Sequence, residues 1–283
     1  MTKSDDLSAP PPRHGTGPAV SVVVPAVRLD LHLRTALQSL LTQTLQDIEV
    51  VLVLDGVGND GWDHPDDRVR VLRLPTHQGT PAALNAGLAA SAAPYIARLD
   101  ADDVAEPERL ERQLGTLTAR PDLIGVGSAA LLIDGDDAVI GELEVPTGPG
   151  MAAHLLRRNV FVHSAMLLDA AALRAVGGYD ERCLRMQDYD LWLRLSRVGA
   201  LENTSERLVR YRVHDGMHSR QTNPFGRSAQ VVGRSRRALA RSLGRSRSTQ
   251  AARDLVWTAG QTARHLGLRR PGYASSIAAG ADR

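Results

Sequence analysis

Cysteine and lysine are almost missing from this chain of 283 residues, which has one of each, Cys183 and Lys3. A single cysteine excludes a disulfide bond within the chain and any zinc site built from several cysteines. It favours a reducing compartment. Arginine supplies all the other basic residues, a bias that is typical of proteins encoded by GC-rich bacterial genomes.

Long apolar runs are also lacking. The first twenty residues are polar and rich in proline, without the apolar core of a secretory signal. Residues 74–97 carry no charge, but His77, Gln78 and several prolines interrupt them, which predicts loop, helix and strand instead of a membrane span. Because neither a secretory signal nor a membrane span is indicated, we expect a cytoplasmic protein.

No P-loop or Gly-x-Gly-x-x-Gly follows a strand, which counts against a kinase, an ATPase or a dinucleotide enzyme.

The remaining composition, 43% hydrophobic and 23% charged residues, is ordinary for a soluble globular protein. Residues 1–18 combine proline, glycine and charge, and predict a disordered segment. Residues 19–225 predict one α/β domain. Residues 226–283 contain twelve arginines and two aspartates, and predict an arginine-rich helical tail.

Apolar runs that end in turn residues alternate with helical patterns through the first half of the chain. One predicted strand ends at Pro25, a second at Asp55 and a third at Asp100. Strand–helix–strand alternation predicts a mostly parallel sheet flanked by helices. Ligands of such sheets bind beyond the carboxyl ends of the strands. We therefore expect Pro25, Asp55 and Asp100 to line one crevice.

The third of these ends is the acidic segment Asp100-Ala101-Asp102-Asp103. Residues two apart in an extended segment project to the same side, so Asp100 and Asp102 can face one point. Mg²⁺ and Mn²⁺ prefer oxygen ligands of this kind and often share them with phosphates. The spacing predicts a site for a metal ion and a diphosphate. The alternative is an acidic, solvated loop that caps the next helix.

Five segments together, in this order, resemble a family 2 glycosyltransferase with the GT-A fold. The likeness spans residues 19–214. The segments are Ser39-Leu40-Leu41-Thr42-Gln43-Thr44, Tyr95 through Asp103, Glu108-Arg109-Leu110-Glu111-Arg112-Gln113, Gly177-Gly178-Tyr179-Asp180-Glu181 and Asp188-Tyr189-Asp190-Leu191-Trp192. The resemblance implies a mostly parallel sheet flanked by helices, with a Rossmann-like nucleotide half and an acceptor half. It also implies transfer of a sugar from a nucleotide-diphosphate sugar to a hydroxyl acceptor with inversion.

The resemblance assigns the nucleotide-sugar site to strand ends and to one helix. The residues implied are Pro25, Asp55, Asn85, Asp100 and Asp102. Asp102 would hold Mn²⁺ or Mg²⁺. Asp55 would hydrogen-bond the nucleotide base, although an Asp-Gly pair is equally a turn signal. The chain departs from the family pattern on either side of Asp55-Gly56, where Leu54 replaces a usual acid and Val57 a usual serine.

The resemblance makes Asp188 the catalytic base, which takes the proton of the acceptor hydroxyl. The alternative places Asp188 at a helix N-cap, and Asp190 is the competing choice of base. Gln187 stands where the family usually has glutamate. His163 would line the acceptor side. His214 matches a recurring segment, as a metal or phosphate contact or as an ordinary hydrogen-bonded histidine.

The expected partners are the donor and a saccharide, lipid-linked or small-molecule hydroxyl acceptor. The basic tail is a candidate contact for anionic lipids at the inner face of a membrane, for polyanionic sugars, or for solvent only. Few aromatics interleave its arginines, so we expect no nucleic-acid binding. Two other functions stay open at this point. They are a nucleotidyltransferase that forms sugar nucleotides, and a non-catalytic sugar- or carrier-binding module of the same fold.

Overall fold

The structure is a computed structural model that describes residues 17–58, 61–214, 223–266 and 268. The predicted disordered segment, residues 1–18, lies outside the described residues except for its last two. The described strands are β1 (Val20–Ala26), β2 (Ile48–Asp55), β3 (Val69–Leu74), β4 (Tyr95–Arg98), β5 (Val104–Ala105), β6 (Leu123–Ile133), β7 (Val139–Leu143), β8 (Leu167–Asp169) and β9 (Ala200–Arg212). The described helices are α1 (Leu31–Leu41), α2 (Thr80–Ala90), α3 (Arg109–Ala119), α4 (Met151–Leu155), α5 (Ala170–Ala175), α6 (Gln187–Leu195), α7 (Arg227–Ser242) and α8 (Arg247–His265).

Four parallel strands form the first half of the sheet, in the order β3-β2-β1-β4. β1 and β2 are almost continuous runs of buried Val, Ile and Leu, as expected for parallel strands with helices on both faces. Pro25 lies opposite Val53 near the end of β1, and Asp55 is the last residue of β2. Gly56 follows with a φ of 74°, and a Cβ there would come within 2.4 Å of the His77 backbone nitrogen. The chain therefore needs glycine at this turn.

The second half of the sheet is mixed, so the expectation of a mostly parallel sheet holds only for the first half. The order continues β4-β8-β6-β9-β5, β7 pairs with the last residues of β6, and only β6 and β9 pair in parallel. Parallel neighbours need a long crossover connection. The short turn at residues 134–138 joins β6 to β7, and these strands are consequently antiparallel.

Helix α6 begins one residue earlier than expected. Met186, with a φ of 58°, is the N-cap, and Asp188 is the second helical residue. Asp188 is therefore not the cap. The helix ends at Leu195, and Val198, which its spacing predicts to face the core, is 59% exposed. The apolar period continues past the residue at which the helix stops.

The two C-terminal helices pack into the main hydrophobic core. Val231, Val232 and Leu239 of α7 and Trp257 of α8 belong to the same buried cluster as the apolar face of α6. Arg236 is fully buried, donates to the Leu156 carbonyl oxygen at 2.7 Å and stacks 4.9 Å from the Trp257 ring. The predicted helical tail thus continues the folded body through the part of it that the structure describes.

Within the described ranges, every helix is too short or too polar to span a membrane.

Candidate active site

A cleft of about 1940 Å³ opens at the carboxyl ends of β1, β2 and β4. Six of the residues expected in the site line it, namely Pro25, Asp55, Asp100, Asp102, His163 and Asp188. The strand ends carry the first four, whereas His163 lies in a short 3-10 turn and Asp188 in the first turn of α6. The fold therefore brings carboxylates from distant parts of the chain to one cavity.

Asp100 is held by a buried arginine. Both guanidinium ends of Arg98, the last residue of β4, donate to the Asp100 carboxylate. Ser164 reinforces the pair, because its hydroxyl accepts from the Arg98 guanidinium at 2.9 Å and donates to Asp100 Oδ2 at 3.1 Å. This arrangement fixes the start of the acidic loop against the 3-10 turn that carries His163.

Asp103 is the buried carboxylate of this loop and anchors it. Its Oδ1 accepts from the Arg212 backbone N–H at 2.8 Å, and the Arg212 side chain donates to the Asp102 carbonyl oxygen at 2.7 Å. Burial first, then the charges of Asp100 and Asp102, raise the pKa of Asp103 well above its usual value. Asp103 Oδ2 is buried and has no partner within the described ranges. The loop thus concentrates negative charge that the contacts described here do not fully balance.

Asp102, like Asp100, lines the cleft with a partly exposed carboxylate. Its side chain is 30% exposed, and its Oδ2 lies 3.1 Å from His214 Nε2. Carboxylate oxygens of Asp100, Asp102 and Asp103 lie within 4.8 Å of one another. Burial and the nearby Asp100 charge raise the pKa of Asp102. A hard divalent cation fits this donor set, because it prefers clustered oxygen ligands and would offset their mutual repulsion.

Two of the segments that resemble the family support the acidic loop through side-chain hydrogen bonds. The Gln43 side chain accepts from Leu110 N at 3.0 Å and donates to the Glu106 carbonyl oxygen at 2.7 Å. The Gln113 amide donates to the Ala165 carbonyl oxygen at 2.7 Å, and Arg109 donates to the Arg98 carbonyl oxygen at 2.8 Å. These contacts tie α1 and α3 to β4 and to the 3-10 turn.

Asp55 lies at the cleft wall, but most of its acceptor capacity is already used. Its carboxylate accepts from the backbone N–H groups of Gln78 at 2.7 Å and Gly79 at 2.9 Å, and Oδ2 lies 2.9 Å from His77 Nδ1. These contacts hold the loop that precedes α2, so the turn-forming role considered for Asp55 is present in the structure. A carboxylate accepts about four hydrogen bonds, which leaves room for about one more donor.

Asp188 and Asp190 occupy different environments. Asp188 is half-buried at the cleft and its Oδ2 accepts from Asn159 Nδ2 at 2.6 Å. Burial raises the pKa of Asp188, against the lowering effect of the Tyr189 backbone N–H and the Asn159 amide. Asp190 is 1% exposed and pairs with Arg194 Nε at 2.8 Å and the Ser235 hydroxyl at 2.6 Å. Only Asp188 of the two faces the cavity.

His163 is a neutral, hydrogen-bonded cleft residue. Its Nε2 lies 2.9 Å from the Tyr179 hydroxyl, and its ring meets the Trp192 ring edge-on at 5.8 Å. Burial first, and then the charge of Arg98, lower the pKa of His163 well below its usual value. This side chain can donate or accept one hydrogen bond at the cleft, but it does not carry a positive charge.

Asn85 does not reach the cleft. Its amide nitrogen donates to the Tyr179 carbonyl oxygen at 2.9 Å and its Oδ1 accepts from the Tyr179 backbone N–H at 2.8 Å. It therefore fastens α2 to the Gly178–Tyr179 turn. The assignment of Asn85 to the nucleotide-sugar site stays a prediction; in this structure its amide is bound by the Tyr179 backbone and the Glu181 side chain, and it does not line the cleft.

Arg98, Asn159, Ser164 and Arg212 shape the site and were missed by sequence reasoning. Arg98 lies two residues before the acidic segment, and an arginine next to a row of acids is a signal that the sequence offers. Arg212 lies two residues before His214, within the segment that matched the family. Asn159 and Ser164 carry no local signal, because their partners are 29 and 64 residues away.

Comparison with known proteins finds a family model and several relatives. Residues 21–137 match the model "Glycosyl transferase family 2". The putative glycosyltransferase EpsE of Bacillus subtilis (strain 168) is 32% identical over 65% of this chain and 69% of its own length. The O-antigen biosynthesis glycosyltransferase WbnJ of Escherichia coli is 30% identical over 69% of this chain and 80% of its own. The amylovoran biosynthesis glycosyltransferase AmsE of Erwinia amylovora is 29% identical over 66% and 72%.

Among solved structures, S. aureus TarS 1-349 in complex with UDP-GlcNAc superposes with a TM-score of 0.64. The match covers 90% of this chain and 74% of TarS, with 16% sequence identity. At this identity the likeness establishes the fold, a curled mixed sheet flanked by helices of the GT-A type.

Proposed function

The chain belongs to glycosyl transferase family 2, and we propose that it transfers a sugar from a nucleotide-diphosphate sugar to a hydroxyl acceptor with inversion. Membership of an enzyme family favours glycosyl transfer over both a nucleotidyltransferase and a non-catalytic binding module. The observation that supports the detailed proposal is the single cleft that holds the acidic loop and the half-buried Asp188. The acidic loop would supply a place for a diphosphate with its cation, and Asp188 would supply a base for the acceptor hydroxyl.

The donor half of the proposed site is the edge formed by Pro25, Asp55 and Asp100. The binding of UDP-GlcNAc by TarS supports a nucleotide-sugar donor in a fold of this type. Asp55 keeps about one acceptor position for an N–H group of the nucleotide base. Arg98 neutralises part of the charge of Asp100, which reduces the repulsion that a diphosphate would meet there.

Asp102 is the proposed principal ligand for Mn²⁺ or Mg²⁺, with Asp100 and Asp103 beside it. A divalent cation, when bound, neutralises the charge that develops on the diphosphate leaving group. The chain itself holds the carboxylates in place for this role through Arg98, Arg212 and Ser164.

Asp188 is the proposed general base. It takes the proton of the acceptor hydroxyl while that oxygen forms a bond to the anomeric carbon. The bond from the anomeric carbon to the phosphate oxygen breaks, and its electron pair leaves with the nucleoside diphosphate. One displacement of this kind inverts the anomeric carbon. The raised pKa of Asp188 makes it a stronger base than an exposed aspartate, and Asn159 holds one of its oxygens.

The names of the relatives support a place in the synthesis of a bacterial cell-surface polysaccharide or glycoconjugate. One relative is named for O-antigen biosynthesis and another for amylovoran biosynthesis. We propose an acceptor hydroxyl on a saccharide or a lipid-linked saccharide. His163 and its partner Tyr179 would line the acceptor side of the cleft.

A donor screen tests the proposal. Melting temperatures would be measured with UDP-, GDP- and dTDP-sugars, each with and without Mn²⁺. A bound donor at 100 times its Kd stabilises the native state by about 2.7 kcal/mol. We expect one nucleotide class to stabilise the protein more with Mn²⁺ than without it, and slow release of the nucleoside diphosphate from that donor. Failure of every donor in both measurements would contradict the proposed reaction.

A further inference from the structure

A second groove lies outside the cleft, between the C-terminal end of α6 and the outer face of α7. Its volume is about 330 Å³. Five of its seven lining residues are arginines, and none of the seven lines the large cleft. The lining residues are Arg194, Arg197, Arg234, Ser235, Arg237, Ala238 and Arg241.

The helical spacing explains why these arginines converge. Arg234, Arg237 and Arg241 stand at i, i+3 and i+7 of α7, which places them on one face of that helix. Arg194 lies in the last turn of α6, and Arg197 follows two residues after that helix ends. The negative end of the α6 dipole favours cations there. It does not account for the three arginines in the middle and second half of α7.

The charge of the groove is only partly balanced. Arg194 pairs with Asp190 at 2.8 Å and Arg237 with Asp254 at 3.3 Å. Within the ranges that the structure describes, no carboxylate lies within ion-pair distance of Arg197, Arg234 or Arg241. Arg194 Nη2 is buried and has no hydrogen-bond partner among the described residues. Like charges gathered in one groove repel, and a buried N–H without an acceptor costs free energy.

We propose that this groove binds a phosphate group of an anionic ligand. Guanidinium groups match phosphate oxygens with two parallel N–H···O bonds, and several of them around one anion form a specific site. A phosphate would offset the excess charge of the α7 face. The site differs from the sugar-transfer cleft, since Asp188 lies six residues before Arg194, about 9 Å along the helix axis.

Two sources can present this chemistry, a phospholipid headgroup at a membrane surface or a phosphate group in solution. Two binding measurements on the full chain separate them. The first is co-sedimentation with vesicles of phosphatidylcholine that contain phosphatidylglycerol, against vesicles of phosphatidylcholine alone. The second is the shift in melting temperature on titration with inorganic phosphate or pyrophosphate, without added divalent cation.

The test compares two double variants with the unmodified chain. Arg234→Gln/Arg241→Gln removes two charges from the groove, at exposed positions that carry no core contact. Arg34→Gln/Arg120→Gln removes the same charge from exposed positions elsewhere. Thermal unfolding without ligand checks that each variant folds, and metal-dependent donor hydrolysis checks that the cleft is intact. This separates failure of the groove proposal from failure of the proposed reaction.

For a lipid source, we expect the groove variant to bind anionic vesicles about 30-fold more weakly than the unmodified chain, since each of the two basic residues contributes about 5-fold near such a surface. The control variant should bind within about 3-fold of the unmodified chain. For a soluble source, we expect the phosphate or pyrophosphate shift to be lost in the groove variant only. If both variants behave alike in both measurements, or the unmodified chain responds in neither, the proposal is wrong.

Discussion

At the scale of single residues, the contrast between Asp188 and Asp190 determines which of them can act on a substrate. Both lie in the first turn of α6, yet the Asp190 carboxylate is hydrogen-bonded by Arg194 and Ser235, whereas Asp188 faces the cleft. Sequence motifs alone left both open as the base. Part of this difference comes from α7, because Ser235, which follows Asp190 by 45 residues, donates to the Asp190 carboxylate.

The hydrogen bond from Asn159 to Asp188 predicts a pH effect. Burial raises the pKa of the Asp188 carboxyl and the Asn159 amide lowers it, so Asn159→Ala should raise that pKa further. The base must be ionised to act, and the acid limb of kcat/KM should move to higher pH. Asn159→Asp should move it further still, because a second carboxylate disfavours ionisation of the first. A pH–rate profile with an unchanged acid limb in both variants would contradict this role of Asn159.

Substitution of Asp102 should weaken Mn²⁺ binding. Asp102→Asn should lower the apparent Mn²⁺ affinity of the donor complex by more than about 10-fold, because it removes one carboxylate of the proposed ligand cluster. Asp67→Asn is the control, since Asp67 is exposed and lies outside the cleft lining. Thermal-shift titration with Mn²⁺ at fixed donor measures the effect. Equal Mn²⁺ dependence in the two variants would remove Asp102 from the proposed ligand set.

Residue-level reasoning from the sequence reached the strand ends but not their partners. Pro25, Asp55 and Asp100 were located because apolar runs stop at turn residues, a local signal. Asn85 is expected in the site from the resemblance, but its side chain is bound by the Tyr179 backbone. That contact spans 94 residues of sequence and leaves no local pattern.

At the scale of secondary-structure elements, two of the five segments that carry the family likeness support the acidic loop. Gln43 on the loop after α1, with Arg109 and Gln113 on α3, bonds to backbone around β4 and the 3-10 turn. The sequence predicted these helices from their apolar periods. It did not predict the mixed second half of the sheet, because pairing of β6, β8 and β9 depends on contacts between distant segments.

The attachment of α7 and α8 predicts a difference between two neighbouring arginines. Arg236 is 1% exposed and Arg237 is 50% exposed, and both pair with Asp254. Arg236→Met should lower the free energy of unfolding by about 3 kcal/mol, since it breaks a buried pair and the bond to the Leu156 carbonyl. Arg237→Met should cost less than about 1 kcal/mol, because an exposed pair contributes little.

Urea unfolding of both variants measures this difference. Trp257, against which Arg236 stacks, contributes to the fluorescence signal together with Trp62 and Trp192. Similar stability of Arg236→Met and Arg237→Met would show that the buried arginine does not hold α7 and α8 in place.

At the scale of the whole molecule, the two halves of the sheet support different sides of the cleft. The parallel half ends in the edge with Pro25, Asp55 and the acidic loop, and the mixed half supports the elements that carry His163 and Asp188. The cleft exists only where the two halves meet. Family membership identifies the reaction class, while a substrate has to be argued from the side chains of the site, because a shared fold does not specify it.

The most direct measurement of the central claim is sugar transfer by Asp188→Asn and Asp190→Asn, with donor binding measured in the same preparations. We expect Asp188→Asn to lose transfer by about 10²- to 10⁴-fold while donor affinity stays unchanged, because only proton removal is affected. Asp190→Asn should keep the transfer rate and lose about 3 kcal/mol of stability, since it breaks the buried pair with Arg194. Full transfer by Asp188→Asn, or its loss in Asp190→Asn at temperatures where that variant is folded, would contradict the account.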